Sequence, residues 1–146
     1  MRNLMVAVGA ALAVAAPALA ADLTLRKGEA TELTAFNVGK PYWSLQAQCA
    51  GVFGAGHAYR LQNGMNPSNE KESGAIMLTT ALAQLQKDRG IDRAAAVELV
   101  KPEIEVGRAK ARSMLEKDGI GAYSSYSYLR STCLDVAEAY SRRIGA

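Results

Sequence analysis

The chain has 146 residues, with 17 Lys and Arg against 14 Asp and Glu and a formal net charge of +3. That is the length of one ordinary domain, long enough to bury a core of its own. The two signs are interspersed along the sequence, which is a solubility balance and argues against the basic footprint of a nucleic-acid binder.

In chain order, the first feature is a leader. Arg2 gives a short positive start, residues 4–16 form an uncharged apolar run, and Pro17, Ala18, Leu19 and Ala20 end in the small-x-small pattern that signal peptidase accepts. The run is dominated by alanine and is short for a bilayer span of about 20 apolar residues. Residues 1–20 are therefore read as a cleavable secretory signal rather than a retained anchor. A lone Arg and no nearby cysteine suggest neither a twin-arginine substrate nor a lipid-anchored product. The expected product begins at Ala21, has no stable membrane insertion, and works in the periplasm or outside the cell. In that oxidising setting Cys49 and Cys133 are expected to pair.

Residues 21–40 read as an irregular N-terminal arm. Leu23, Leu25, Leu33, Phe36 and Val38 fit neither a helical nor a strand period, and at most a short strand at residues 23–25 or a helical turn at residues 31–35 is expected. The helical domain, residues 41–146, opens at Pro41, which suits a first-turn position. Tyr42, Leu45, Cys49, Val52, Gly56 and Tyr59 then recur three or four apart, and Asn63-Gly64 ends the helix. A second helix should run from Pro67, capped by Asn66, to Arg89, where Gly90 supplies a left-handed stop. Its buried stripe is read as Ala75, Leu78, Ala81 or Leu82, and Leu85, with Glu70, Lys71, Glu72, Gln84, Gln86 and Lys87 facing water.

A third helix starts with Asp92 as cap and carries Val97, Val100, Ile104, Ala111 and Leu115 at helical spacing. Pro102 interrupts it, so a kink or a break into two helices is expected near Val100 and Lys101. The last helix should span residues 124–143, with Leu129, Cys133, Val136 and Tyr140 on one face. Short loops force sequential helices to pack side by side. The fold class is thus all-α, a small antiparallel bundle of four helices, or five if Pro102 breaks the third. Cys49 and Cys133 sit mid-stripe in the first and last helices, so one disulfide should make those two helices neighbours.

The chemistry-bearing residues are few. His57 is the only histidine. With two cysteines committed to a disulfide, no zinc set remains; haem attachment through C-x-x-C-H is absent, and no serine lies in a G-x-S-x-G elbow. No metal and no cofactor is implied. His57 falls on the edge of the core-facing stripe, where it reads first as a partly buried histidine bonded to a neighbouring helix and second as a contact to a ligand. The pairs Glu70 with Glu72 and Glu103 with Glu105 are two apart, do not share a helix face, and read as solvated charge.

Two stretches stand out in composition. Ala47, Gly51 and Ala55 recur every four residues, as do Ala50, Gly54 and Ala58. Because Gly costs a helix about 1 kcal/mol relative to Ala, something should offset it. The candidates are close packing against another helix of the bundle, a homodimer seam, or a ligand groove. Tyr123, Tyr126 and Tyr128, separated by serines, resemble a recognition surface, to which Trp43 is the natural addition; the competing account is a serine cap with tyrosines packing the bundle end.

The leading expectation is an exported helical bundle that acts by binding another envelope or secreted protein, as an accessory, inhibitor or chaperone-like module. The alternatives are a carrier of a small ligand, haem or metal, using His57 with Met65, Met77 or Met114, and a small secreted enzyme with His57 as its base.

Overall fold

The structure is a computed structural model and describes residues 21–145; the expected leader, residues 1–20, lies outside the described residues. Four helices follow the arm: α1 (Tyr42–Gln62), α2 (Ser68–Arg89), α3 (Arg93–Asp118) and α4 (Ser125–Gly145). Their ends lie where the capping chemistry sits. Asp92 caps α3, its side chain accepting from the Ala95 amide at 2.8 Å; Asn66, expected to cap α2, stands one residue before the cap position, which Pro67 takes, and its side chain accepts from the Ser68 amide at 3.0 Å in the turn that leads in. Gly90 closes α2 at φ +62°, a conformation that costs a residue with Cβ far more. The Ser124 hydroxyl accepts from the Ser127 amide, so at least one serine of the tyrosine-rich stretch is a helix cap.

The expected break at Pro102 does not occur: α3 is continuous through it. A proline in a helix deprives the carbonyl four residues earlier of its donor. Here that carbonyl belongs to Glu98, and Glu98 and Pro102 are both exposed, so water meets the loss.

Sequential helices run in opposite directions, and α1 is the hub. α1 packs most closely on α3 and α2 and less on α4, while the α2 and α4 backbones stay apart and meet through side chains, Gln84 with Tyr140 and Glu70 with Arg130. The cause lies in two glycines. A Cβ on Gly51 would sit 1.9 Å from the Ile104 carbonyl oxygen, and one on Gly107 would sit 1.8 Å from the Gln48 carbonyl oxygen. α1 and α3 therefore meet backbone to backbone, with Ala47, Ala55 and Ala111 buried along the same seam. The disulfide Cys49–Cys133 ties α1 to α4 with 5.4 Å between Cα atoms.

The arm is fastened by side chains rather than by regular structure. One bridge pairs Thr24 with Pro41, and a single 3-10 turn covers Ala35–Asn37. Leu25 is buried among Tyr42, Leu45, Val136, Ala139 and Tyr140. Asp135 of α4 accepts from both Thr31 and Thr34 hydroxyls at 2.5 Å. Asp88 of α2 accepts from the Leu23 amide at 2.8 Å, and Arg89 forks onto Asp22 at 2.6 and 2.8 Å.

α2 buries a different face from the one its apolar pattern suggests. Ala75 is exposed, whereas Glu70, Met77, Gln84 and Asp88 join Ala81 and Leu85 in the interior. The buried face follows steps of four and three through Glu70, Gly74, Met77, Ala81, Gln84 and Asp88, and polar residues close it at both ends. Each is compensated. Glu70 has Arg60 and Arg130 beside it, while Gln84 donates to Asp88 at 2.5 Å and accepts from the Tyr140 hydroxyl at 2.8 Å.

Candidate functional site

The two small-residue stripes of α1 point in different directions and meet different fates. Ala47, Gly51 and Ala55 are used up by α3, so this part of the helix is packing within the bundle and not an outer seam. Ala50, Gly54 and Ala58 form the floor of a groove between α2 and α3. A Cβ built on Gly54 meets nothing within 4 Å. Two adjoining depressions, of about 550 and 260 Å³, share Gly54 and Arg108.

The groove walls carry most of its charge. α2 contributes Lys71 and the buried Glu70, and α3 contributes Arg108, Arg112 and Glu116. Arg108 is paired to the exposed Glu105 one turn earlier, and an exposed pair of this kind is worth little and exchanges readily. His57 stands half-buried on the rim, with Nδ1 3.4 Å from the carbonyl oxygen of Pro67. The sole histidine thus borders the groove while leaning on the turn into α2. Glu103, expected to be solvated, instead accepts from Ser44 at 2.9 Å and Gln48 at 2.6 Å and pins α3 to α1 below the groove.

Behind the His57 end lies a buried charge cluster that the sequence reading placed in water. Glu70 is 2% exposed, with Arg60 Nε at 2.9 Å and Arg130 Nε at 3.7 Å. The Arg130 guanidinium lies 5.8 Å from the centroid of the Phe53 ring, a cation–π arrangement. Tyr126 packs into the space left by Gly56, where a Cβ would lie 1.8 Å from the phenol oxygen. Burial, and then the negative charge of Glu70, push the Tyr126 hydroxyl up to about 12. Tyr126 therefore stays protonated at neutral pH and Glu70 is compensated by two guanidiniums. This cluster fixes the wall of the groove and the approach of α1, α2 and α4.

The four aromatic residues expected to share a surface are divided. Tyr123 and Tyr128 are exposed, at 88% and 58%, but Tyr126 is fully buried and Trp43 is 8% exposed. Trp43 packs among Ala47, Ala81, Leu82, Leu85, Ala96 and Val100. Tyr126 lies seven residues before Cys133, two turns away on the same inward face of α4; Tyr128 is two residues round the helix and turns outward. Among the described residues no group of three or more His, Cys, Asp or Glu side chains is gathered as a metal site requires. Met77 lies in the core cluster with Cys49 and Phe53, and Met65 is exposed.

Sequence reasoning also missed a groove on the opposite side, between α2 and α4, lined by Gln46, Ile76, Met77 and Ile144 among others. A signal for it existed. Gln46 stands between Leu45 and Ala47 in a helix whose small and apolar residues occupy every side, so its amide has no route to water along its own helix. Compared with known protein families, curated proteins and solved structures, the chain matches none.

Proposed function

We propose that this protein is exported to the periplasm through its leader and acts there by binding another protein of the cell envelope, with the groove over Gly54 as the binding face. The observation that carries this reading is the unfilled floor. Gly54 leaves its Cβ position empty between Lys71 on one wall and Arg108 and Arg112 on the other. A floor without side chains lets a partner's backbone approach as α3 approaches Gly51. Lys71, Arg108 and Arg112 outnumber the lining carboxylates Glu116 and Glu70, the latter already compensated by Arg60 and Arg130, which favours a partner segment carrying acidic residues by charge complementarity. The apolar leader and a disulfide compatible with an oxidising compartment support export.

A photo-reactive amino acid at Ala58, an exposed position on the groove floor, tests the binding face in intact cells. The expected result is one discrete protein adduct in the periplasmic fraction, lost in Gly54→Trp and weakened by added salt. An adduct that persists in Gly54→Trp, or none at all, overturns the proposal. Mass analysis of the same fraction should find a mature chain beginning at Ala21; a retained leader contradicts the export reading.

A further inference from the structure

The close α1 and α3 contact has a consequence on the far side of the bundle. With α1 drawn against α3 at Gly51 and Gly107, the α2 and α4 backbones stand apart, bridged by side chains such as Gln84 and Tyr140, and a groove of about 320 Å³ opens between them over α1. That is within the size range of small-molecule sites. Its walls are Ile76, Met77 and Ala83 from α2 and Ala137, Tyr140 and Ile144 from α4. Ile76 and Ile144 are each more than half exposed, which is unusual for large aliphatic side chains on either side of one cleft. Among the described residues no Asp, Glu, Lys, Arg or His lines it, and the one titratable hydroxyl, that of Tyr140, is already donated to Gln84 at 2.8 Å. The other polar neighbours are hydroxyls: Thr79, Ser141, and Thr80, which donates back to the Ile76 carbonyl.

The floor of this groove carries a polar atom with an unmet requirement. Gln46 is 1% exposed, lines the groove, and its side-chain carbonyl oxygen accepts no hydrogen bond from the described residues. A buried acceptor left unmade costs about 1 to 3 kcal/mol; the Trp43 indole nitrogen and the Tyr126 hydroxyl are orphaned too, but Gln46 is the residue of this kind that lines the uncharged groove. We propose that the α2 and α4 groove is a second binding site, for a small uncharged apolar molecule carrying one hydrogen-bond donor, which the Gln46 carbonyl receives. The aliphatic walls supply area, the lack of charged groups disfavours an ion that would lose its hydration, and the single acceptor orients the molecule. The site faces away from the groove over Gly54 and shares no lining residue with it.

The test uses the mature, oxidised protein and N-phenyl-1-naphthylamine, an uncharged aromatic with one N–H donor whose fluorescence rises in an apolar site. Saturable binding of one probe per chain is expected, about tenfold tighter than for the N-methylated probe, which lacks the donor. Gln46→Leu should remove that preference while leaving the melting temperature equal or higher, because it removes a buried unsatisfied acceptor. Ala83→Trp, from an exposed position on the wall, should abolish binding of both probes, and Gly54→Trp should change neither. The proposal is overturned if the rise is not saturable, if Ala83→Trp still binds, or if Gln46→Leu weakens both probes alike. A homodimer that Ile76→Glu converts to monomer would also overturn it, by making a second copy the occupant.

Discussion

The two stripes of α1 share a composition and a spacing, yet one is sealed and the other open. Ala47-Gly51-Ala55 is closed because α3 brings a glycine of its own, Gly107, to the same level, and two bare backbones can touch. Ala50-Gly54-Ala58 looks out between α2 and α3, where Gly74 of α2 comes near Phe53, Ala50 and the Gly54 amide, but no described residue of either helix lies within 4 Å of where a Gly54 Cβ would be. The difference teaches that a small-residue repeat specifies the possibility of close approach, and the partner helix decides whether it is used.

The sealed half should be intolerant. Cys133→Ala removes the cross-link between residues 84 apart in sequence, and the unfolding free energy measured in urea should fall by about 4 kcal/mol. A loss below about 1 kcal/mol would mean that the α1 and α3 seam alone holds the hub. On the boundary between the two halves, Glu70→Gln leaves Arg60 and Arg130 without their buried counter-charge and should cost about 2 kcal/mol, less than a fully buried pair because both arginines reach water. In the same variant Tyr126 should ionise below its native value of about 12, since the charge that helps hold it up is gone; a tyrosinate absorbance titration reads this.

The arm should respond most gently, and to pH rather than to packing. Burial pushes Asp135 and Glu29 upward, but the Thr31 and Thr34 hydroxyls on the first, and the Arg26 amide with Arg143 and Tyr42 on the second, outweigh it and leave both carboxyls below their ordinary values. Arg89 holds Asp22 low. Groups depressed in the folded state contribute stability above their unfolded pKa, near 4, and lose it as pH falls through the folded value. The protection factor of the Leu25 amide, which donates to the Lys40 carbonyl, should therefore fall below about pH 4 before those of the helices do. Thr31→Val with Thr34→Val should lower that protection at neutral pH and make its further loss in acid smaller, because burial alone then acts on Asp135 and raises its pKa. Simultaneous exchange of arm and helices would show that the arm is not separately fastened.

Much of the fold was legible because it was local. Caps at Asp92 and Ser124, the Asn66 turn leading into α2, stops at Gly64 and Gly90, and the stripe through Cys49 mark the four helices and make α1 and α4 neighbours. Pro102 misled because its cost depends on whether the freed carbonyl reaches water, which is a property of the packed molecule. Glu70, Gln84 and Asp88 misled for a related reason: a polar residue reads as exposed until the groups that compensate it are known, and Arg130 and Tyr140 come from α4, far away in sequence. The binding faces were half legible. Gly54 and His57 were singled out, but their union with Lys71, Arg108 and Arg112 depends on three helices. Tyr126 and Trp43, attractive by type, are inside.

Chemical denaturation of Gly51→Ala and Gly54→Ala, side by side, tests the sealed and open halves most directly. One added methyl should lower stability by about 3 kcal/mol at Gly51, where it meets backbone of α3, and raise it by up to about 1 kcal/mol at Gly54, where it only improves helix propensity. Opposite signs are the expected result. Equal losses at both positions would contradict the account, because Gly54 would then be covered as Gly51 is and no open face would exist.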